Sequence, residues 1–462
     1  MKKSWKDKNK DKDKDKDTLD MTEGSPTKVL LIFAVPIILS NLFQQLYNII
    51  DSLIVGNYLG ADALAAVGSV GTITAVIIQL ASGLSLGASV VIAQYFGAGK
   101  KEEIRVCMTT VSIFAVGLGI AVTVLAQIFA GNILVLIKTP AELMEGSMDY
   151  LTIYLWGSAA IFLYNALNAV FIALGDSRTP LYFLILAFFL NVAGDLFFII
   201  ACSMGVGGGA LATTLSQAVC TVLSLIVLER KMRRIGMGKA ERMFDRIEFA
   251  RMMRIAVPAA LQQSVVSIGN VCVQTVTNSF GPAVMAGCSA ANKAVNLVST
   301  VPINWGNALS NFVGQNVGAG KMERIPEGVK SSLMVTGAIS AVMIAVLELM
   351  PEQIISWFVN GEDAAEVIAV GASYLRVVGL FLAVFSGYMI IKAVFKGAGD
   401  MNWFVGVTLS SLGVRVLCAF LFAPVFGKAI LWWSVAAGWC VSTVPTVVHY
   451  LGGRWKLHRL IT

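Results

Sequence analysis

Charge is scarce in this chain. Only 14% of its 462 residues are Asp, Glu, Lys or Arg, and 56% are hydrophobic, with a mean hydropathy of +0.75. Such a composition excludes a soluble globular domain. Histidine is rarer still, with His449 and His458 alone, both close to the C-terminus, so neither a histidine-ligated metal centre nor a histidine-based catalytic set is expected within the apolar runs. The seven cysteines are odd in number and scattered, which implies neither a disulfide framework nor a metal site. No phosphate-binding loop or ATPase element is visible, so an ion gradient is the expected energy source. Gly83-Leu84-Ser85-Leu86-Gly87 has the spacing of a nucleophile elbow, but it lacks the strand-turn-helix setting and a His partner. It reads more simply as small residues at a close helix packing.

What the chain has in abundance is long apolar runs. A bilayer core of about 30 Å needs roughly 20 such residues per helix, and the runs divide into twelve, near 30–56, 63–97, 104–131, 146–174, 180–203, 209–229, 252–279, 284–317, 329–350, 366–395, 402–424 and 430–452. The first run starts after about 28 polar residues and lacks a small-residue cleavage site, so it is read as a retained helix and not a signal peptide. The net charge of +7 is no nucleic-acid signal, because Lys and Arg collect on one side. Lys100, Lys101, Arg105, Arg178, Arg230 to Arg254, Lys321, Arg324 and Arg454 flank one set of loops, against Lys138 and Lys428 on the other. The positive-inside rule then places both termini in the cytoplasm of a multi-pass cell-membrane protein. Residues 1–28, with alternating Asp and Lys from Asp11 to Asp17, have no apolar face and are expected to be a disordered charged tail.

The chain is built twice, at an offset of 221 to 224 residues. Ala34-Val35-Pro36 recurs as Ala256-Val257-Pro258, and Gln94 with Gly97-Ala98-Gly99-Lys100 as Gln315 with Gly318-Ala319-Gly320-Lys321. Tyr164, Ala169-Val170-Phe171 and Gly175-Asp176 return as Tyr388, Ala393-Val394-Phe395 and Gly399-Asp400. The predicted fold is therefore an all-α polytopic membrane protein with twelve transmembrane helices in two pseudo-symmetric six-helix lobes. The N-terminal lobe spans 29–230 and the C-terminal lobe 252–453, joined by a cytoplasmic linker at 231–251 and followed by a cytoplasmic tail at 454–462. An even-numbered repeat gives both lobes one orientation, a plan that places substrate between them and works by rocking.

Within the first run, Asn41, Gln44, Asn48 and Asp51 recur every three or four residues, with Tyr47 alongside. They form a polar stripe on one helix face. An acid at such depth is a functional-site hypothesis by default, although a stripe of this kind also hydrogen-bonds neighbouring helices. Upstream, Pro36 leaves the Ile32 carbonyl without its helical donor and marks a bend. The second lobe repeats the stripe as Gln263, Ser267, Asn270, Gln274 and Asn278, with Val273 in place of the acid. The other deep carboxylate is Asp195, four residues after Asn191, and a Gly-rich break leads on to Thr213. Carboxylate, amide and hydroxyl oxygens suit a small alkali cation, and two nearby carboxylates can equally share a proton; spacing does not choose. Asn165 and Asn168, near Tyr154, Trp156 and Tyr164, are candidates to line a substrate cavity, or the aromatics serve packing. Lys293, deep in the eighth run, either faces anionic groups or snorkels outward.

At these residues the chain resembles the MATE family of multidrug and toxic compound extrusion transporters. The resemblance is carried jointly by Gln44-x-x-Tyr47-x-x-x-Asp51, Val55-Gly56 with Leu64-Ala65-Ala66, the two Gln-x-x-Gly-Ala-Gly-Lys motifs, and Asn191-x-x-x-Asp195 followed by Gly208-Gly209-Ala210-Leu211-Ala212-Thr213. It implies an antiporter, not an enzyme, that exports cationic or amphipathic small molecules by alternating access in exchange for Na⁺ or H⁺. The implied cation-coupling site is Asp51, Asn191, Asp195 and Thr213, with Asp51 and Asp195 holding the metal if Na⁺ is the ion. Gln44, Tyr47, Asn48, Asn165 and Asn168 would line the substrate cavity in the first lobe, and Gln263, Ser267, Asn270, Gln274 and Lys293 in the second. One branch of the family carries acids in its seventh and tenth helices. This chain has none deep within them, Glu366 standing at the very start of the tenth run, and so looks more like the branch that couples through the first lobe. No cofactor beyond the coupling ion and no nucleic acid is expected, and the protein is read as a monomer in the lipid bilayer. A flippase for a lipid-linked precursor is the first rival; it calls for a strongly basic cavity, for which the sequence offers chiefly Lys293 and Arg415. A membrane-embedded enzyme is the second, and lacks a plausible residue set.

Overall fold

At bilayer depth each backbone N–H and C=O must be satisfied within the protein, so long apolar runs resolve into helices. The computed structural model describes residues 18–238, 240–359, 364–458 and 460, and among these there is helix, turn and loop but no strand. The helices are α1 Pro26–Leu59, α2 Ala61–Gly97, α3 Lys101–Leu136, α4 Met144–Trp156, α5 Ser158–Ala173, α6 Arg178–Asp195 and α7 Gly205–Arg234, then α8 Arg246–Asn278, α9 Pro282–Gly318, α10 Arg324–Leu349, α11 Pro351–Ser356, α12 Ala364–Leu380, α13 Leu382–Ala398, α14 Met401–Phe426 and α15 Ile430–Gly452. Two spans are broken. The pairs α4–α5 and α12–α13 each bend by 51°, at positions equivalent in the repeat. With each pair counted as one span, and with the short α11 set aside, twelve spans result.

The described residues divide into two compact units, one holding Val35–Val257 and those up to Asp20, the other Met21–Ala34 and those from Pro258 on. Helix α1 thus changes unit between Ala34 and Val35, and α8 between Val257 and Pro258, each beside its internal proline, Pro36 or Pro258. In the first unit α5 packs on α2, α3 and α7, and α7 on α4 and α6. A Cβ built on Gly119 of α3 would lie 2.5 Å from Ala159 Cα of α5, so these two backbones are as close as glycine permits. In the second unit α9 packs on α12 and α13, and α14 on α15.

The repeated Gly-Asp step has one structural job in both units. Gly175 and Gly399 turn the chain at φ of 81° and 87°, a region that favours glycine. The following aspartate then caps the next helix. Asp176 Oδ1 accepts from the N–H groups of Arg178 and Thr179 at 3.1 and 3.0 Å, and Asp400 Oδ1 from that of Trp403 at 3.4 Å. Each aspartate also ties down the last helix of its repeat, Asp176 through Lys231 and Asp400 through His449 at 2.7 Å.

Two boundaries differ from the sequence reading. The expected disordered tail lies outside the described residues up to residue 17, but its remainder is packed. Met21 is fully buried and its N–H donates to Gln315 Oε1 at 2.9 Å, while Lys321 Nζ donates to the Thr22 carbonyl at 2.9 Å and α1 starts at Pro26. One apolar side chain and a backbone able to pair with the repeated Gln-Gly-Lys motif outweigh the charge around them. The linker is also shorter than 231–251. Lys231 is held by Asp176 inside α7, and Asp245 caps α8 by accepting from Ile247 and Glu248 at 2.8 and 3.1 Å, so only 235–245 lie between the helices. Beyond α15, Trp455 is buried and stacks on Tyr450.

Candidate functional site

In the first unit α1, α4, α6 and α7 converge on two carboxylates. Asp195 is fully buried at the end of α6, Asn191 is buried one turn earlier, and Asp51 is half-buried on α1. Asp51 and Asp195 are close enough for their side chains to interact. Asn191 Nδ2 donates to Thr213 Oγ1 at 3.2 Å across the α6–α7 contact. That contact depends on Gly194, since a Cβ there would meet the Ala212 Cβ at 2.9 Å. Immediately after Asp195 the helix widens into a π turn over Leu196–Ala201, a distortion frequently found at functional sites.

Four buried oxygens at this point have no hydrogen-bond partner: both of Asp195, Asn191 Oδ1 and Tyr47 Oη. Unpaired polar atoms cost free energy in a buried setting. Oxygen-only, partly anionic and undersatisfied, the set suits a hard monovalent cation or a shared proton. Tyr150 and Tyr154 of α4 stack beside it with centroids 6.1 Å apart, and Tyr150 lies within electrostatic range of Asp51. Tyr150 had no sequence signal of its own, because it sits in an ordinary amphipathic stretch.

The predicted polar stripe divides. Tyr47 and Asp51 turn into the unit, whereas Gln44 and Asn48 are exposed and contact each other at 3.5 Å. Asn165 is half-buried and spends its amide on the Ile161 carbonyl of its own helix at 2.9 Å, and Asn168 Oδ1 is buried without a partner. Trp156, at 73% exposure, projects outward.

In the second unit Asn270 and Gln274 line a cavity of about 270 Å³ with Thr277, Asn292, Asn296, Tyr374 and Arg415. Gln263 and Ser267 do not reach it; Ser267 Oγ donates to the Gln263 carbonyl at 3.1 Å. Lys293 is exposed and does not line it. The cations held inside this unit lie elsewhere, Lys392 buried and Lys396 half-buried. Lys392 and Lys396 are one turn apart on α13, with Lys392 Nζ 5.1 and 5.0 Å from the ring centres of Tyr388 and Phe404 and 3.3 Å from Thr408 Oγ1. Lys396 Nζ donates to Asn307 Oδ1 at 3.0 Å. Among the described residues neither lysine has an ion-pair partner. Sequence reasoning missed both; the clue was two lysines at helical spacing within an apolar run.

Comparison with known proteins fits this geometry. The MatE family model matches residues 36–197 and again 258–421, once in each half of the repeat. A probable multidrug resistance protein of Bacillus subtilis, YpnP, is 29% identical over 96% of this chain and 99% of its own length. A FAD transporter of Shewanella oneidensis is 23% identical over 66% of this chain and 68% of its own. Among solved structures, a MOP superfamily transporter from Pyrococcus furiosus, described as having a binding pocket of reverse polarity, superposes with a TM-score of 0.86 at 25% identity, covering 96% of this chain and 98% of that one.

Proposed function

The chain belongs to the MatE family of multidrug efflux transporters, and from that premise we propose that it is an antiporter that exports amphipathic small molecules by alternating access, driven by Na⁺ or H⁺ at Asp51, Asn191, Asp195 and Thr213. The observation that carries the coupling role is the pair of deep carboxylates with both Asp195 oxygens unpartnered. Two carboxylates that interact at close range repel when both are ionised, and a cation or proton between them relieves the repulsion. Occupancy therefore changes how strongly α1 and α6 hold together, which is the differential interaction that a conformational shift requires. Substrate efflux from proteoliposomes under separately imposed Na⁺ and H⁺ gradients tests this. Drug movement under one gradient that is lost in Asp195→Asn is the expected result; full transport by Asp195→Asn under both gradients overturns it.

A second reading of the substrate is favoured by Lys392 and Lys396. Two cations without a carboxylate partner disfavour a cationic drug beside them and suit a substrate with an anionic group, as in a lipid-linked precursor or a nucleotide-like molecule. The FAD transporter and the reverse-polarity pocket among the relatives support this reading. Lys392→Gln separates the two: unchanged export of cationic drugs favours the amphipathic-cation reading, and a selective loss of anionic substrates favours the second.

A further inference from the structure

The repeat allows each position of the first-unit site to be matched with its counterpart in the second unit. At the local offset of 222 residues Asp51 corresponds to Val273, and at 224 Tyr150, Asn191 and Asp195 correspond to Tyr374, Arg415 and Ala419. Val273, Tyr374 and Arg415 all line the cavity of about 270 Å³. Both acids have gone and an arginine has arrived, so the counterpart site has the opposite sign. We infer that this cavity is a binding site for a small oxyanion, a carboxylate or phosphate group, held by the Arg415 guanidinium.

Hydrogen-bond bookkeeping around the cavity points the same way. Two of the amide acceptors are consumed internally: Asn270 Oδ1 takes a hydrogen bond from Arg415 Nη1 at 3.2 Å, and Asn292 Oδ1 takes one from the Tyr374 hydroxyl at 2.9 Å. Gln274 Nε2 donates to Asn278 Oδ1 at 2.7 Å, and Thr277 donates to the Val273 carbonyl at 3.0 Å. Donors left over include the amide groups of Asn270 and Asn292 and the rest of the guanidinium, beside the neutral amides of Gln274 and Asn296, which can present either a donor or an acceptor. Arg415 Nε is buried and has no partner. No carboxylate lines the cavity, and among the described residues no ion pair includes Arg415. A guanidinium with no carboxylate partner, a free Nε–H and amide donors beside it is an arrangement that binds a planar or tetrahedral oxyanion through two parallel N–H groups. The volume falls below the roughly 300 to 1,000 Å³ of drug-sized sites, so it suits an anionic group and not a whole drug.

The anion has two sources, free in solution or as the headgroup of a lipid, and the test separates them. Full-length protein in detergent is titrated with acetate and with inorganic phosphate at constant ionic strength, following heat of binding and melting temperature. A parallel set is measured in nanodiscs of phosphatidylcholine with and without phosphatidylglycerol. Saturable binding of acetate or phosphate that falls at least tenfold in Arg415→Gln is the expected result and assigns the site to a free anion. A melting shift confined to phosphatidylglycerol and lost in Arg415→Gln assigns it to a headgroup. If Arg415→Gln does not fold, Asn292→Asp keeps the arginine but gives it an internal carboxylate, and should abolish the same binding. No saturable response in any arm, or an undiminished response in the variants, overturns the inference. Because binding is read without transport, its failure is distinct from failure of the coupling site in the first unit.

Discussion

At the scale of single residues, the two deep acids make a sharp expectation. Asp51→Asn and Asp195→Asn each preserve shape while removing charge, so each should reduce ion-coupled efflux at least tenfold with little change in expression. The double variant should cost little more than either single one, because neighbours that act as a unit are not additive. Transport in vesicles and surface expression measured together check this; additive losses would separate the two acids. Asp51 and Asp195 were legible in the sequence because an ionisable group in an apolar run has no cheap explanation. Gln44 and Asn48 were not, since helical spacing puts 44, 47, 48 and 51 on one face while burial separates them. Lys293 drew the eye by its depth, yet the lysines held inside the unit are Lys392 and Lys396. Which side of its helix meets protein is settled by packing, and the sequence of one helix does not contain it.

At the scale of elements, caps and kinks carry the testable claims. Asp245 stands immediately before α8 and accepts from the backbone N–H groups of Glu248 and Ile247, which hold its carboxyl below the usual range. A lowered pKa adds stability above the unfolded value near 4 and loses it as pH falls through the folded value. Asp245→Ala should therefore cost about 1 kcal/mol at neutral pH, and the gap from wild type should close below about pH 4. Thermal unfolding across pH reads both. Pro36 and Pro258 sit inside unbroken helices at equivalent positions, each where its helix passes from one unit to the other. Only Pro36 shares its helix with a site acid. Pro36→Ala should spare ion binding yet lower transport severalfold, with Pro258→Ala milder; equal losses would make the two bends purely architectural. The sequence revealed both prolines but not the 51° breaks of the fourth and tenth spans. Gly157 marks the first break, whereas Phe381 at the second carries no turn signal.

At the scale of the whole molecule, the basic-loop asymmetry predicts a topology. In a cysteine-free background, Lys428→Cys should label with an impermeant reagent applied outside intact cells, and Glu323→Cys only after the membrane is opened; both side chains are exposed. Labelling of both from outside would overturn the orientation. Twelve spans and two halves were readable because hydropathy and repetition are properties of the whole chain, insensitive to errors of a few residues at any helix end. The doubling has one more consequence. Each half is an internal control for the other. Where the copies kept the same part, as at Gly175-Asp176 and Gly399-Asp400, matched substitutions should injure folding alike. Where the copies parted, as at Asn191 and Arg415, matched substitutions should injure different activities. A paired mutational scan would thus sort scaffold from chemistry within a single polypeptide, with no second protein needed for comparison.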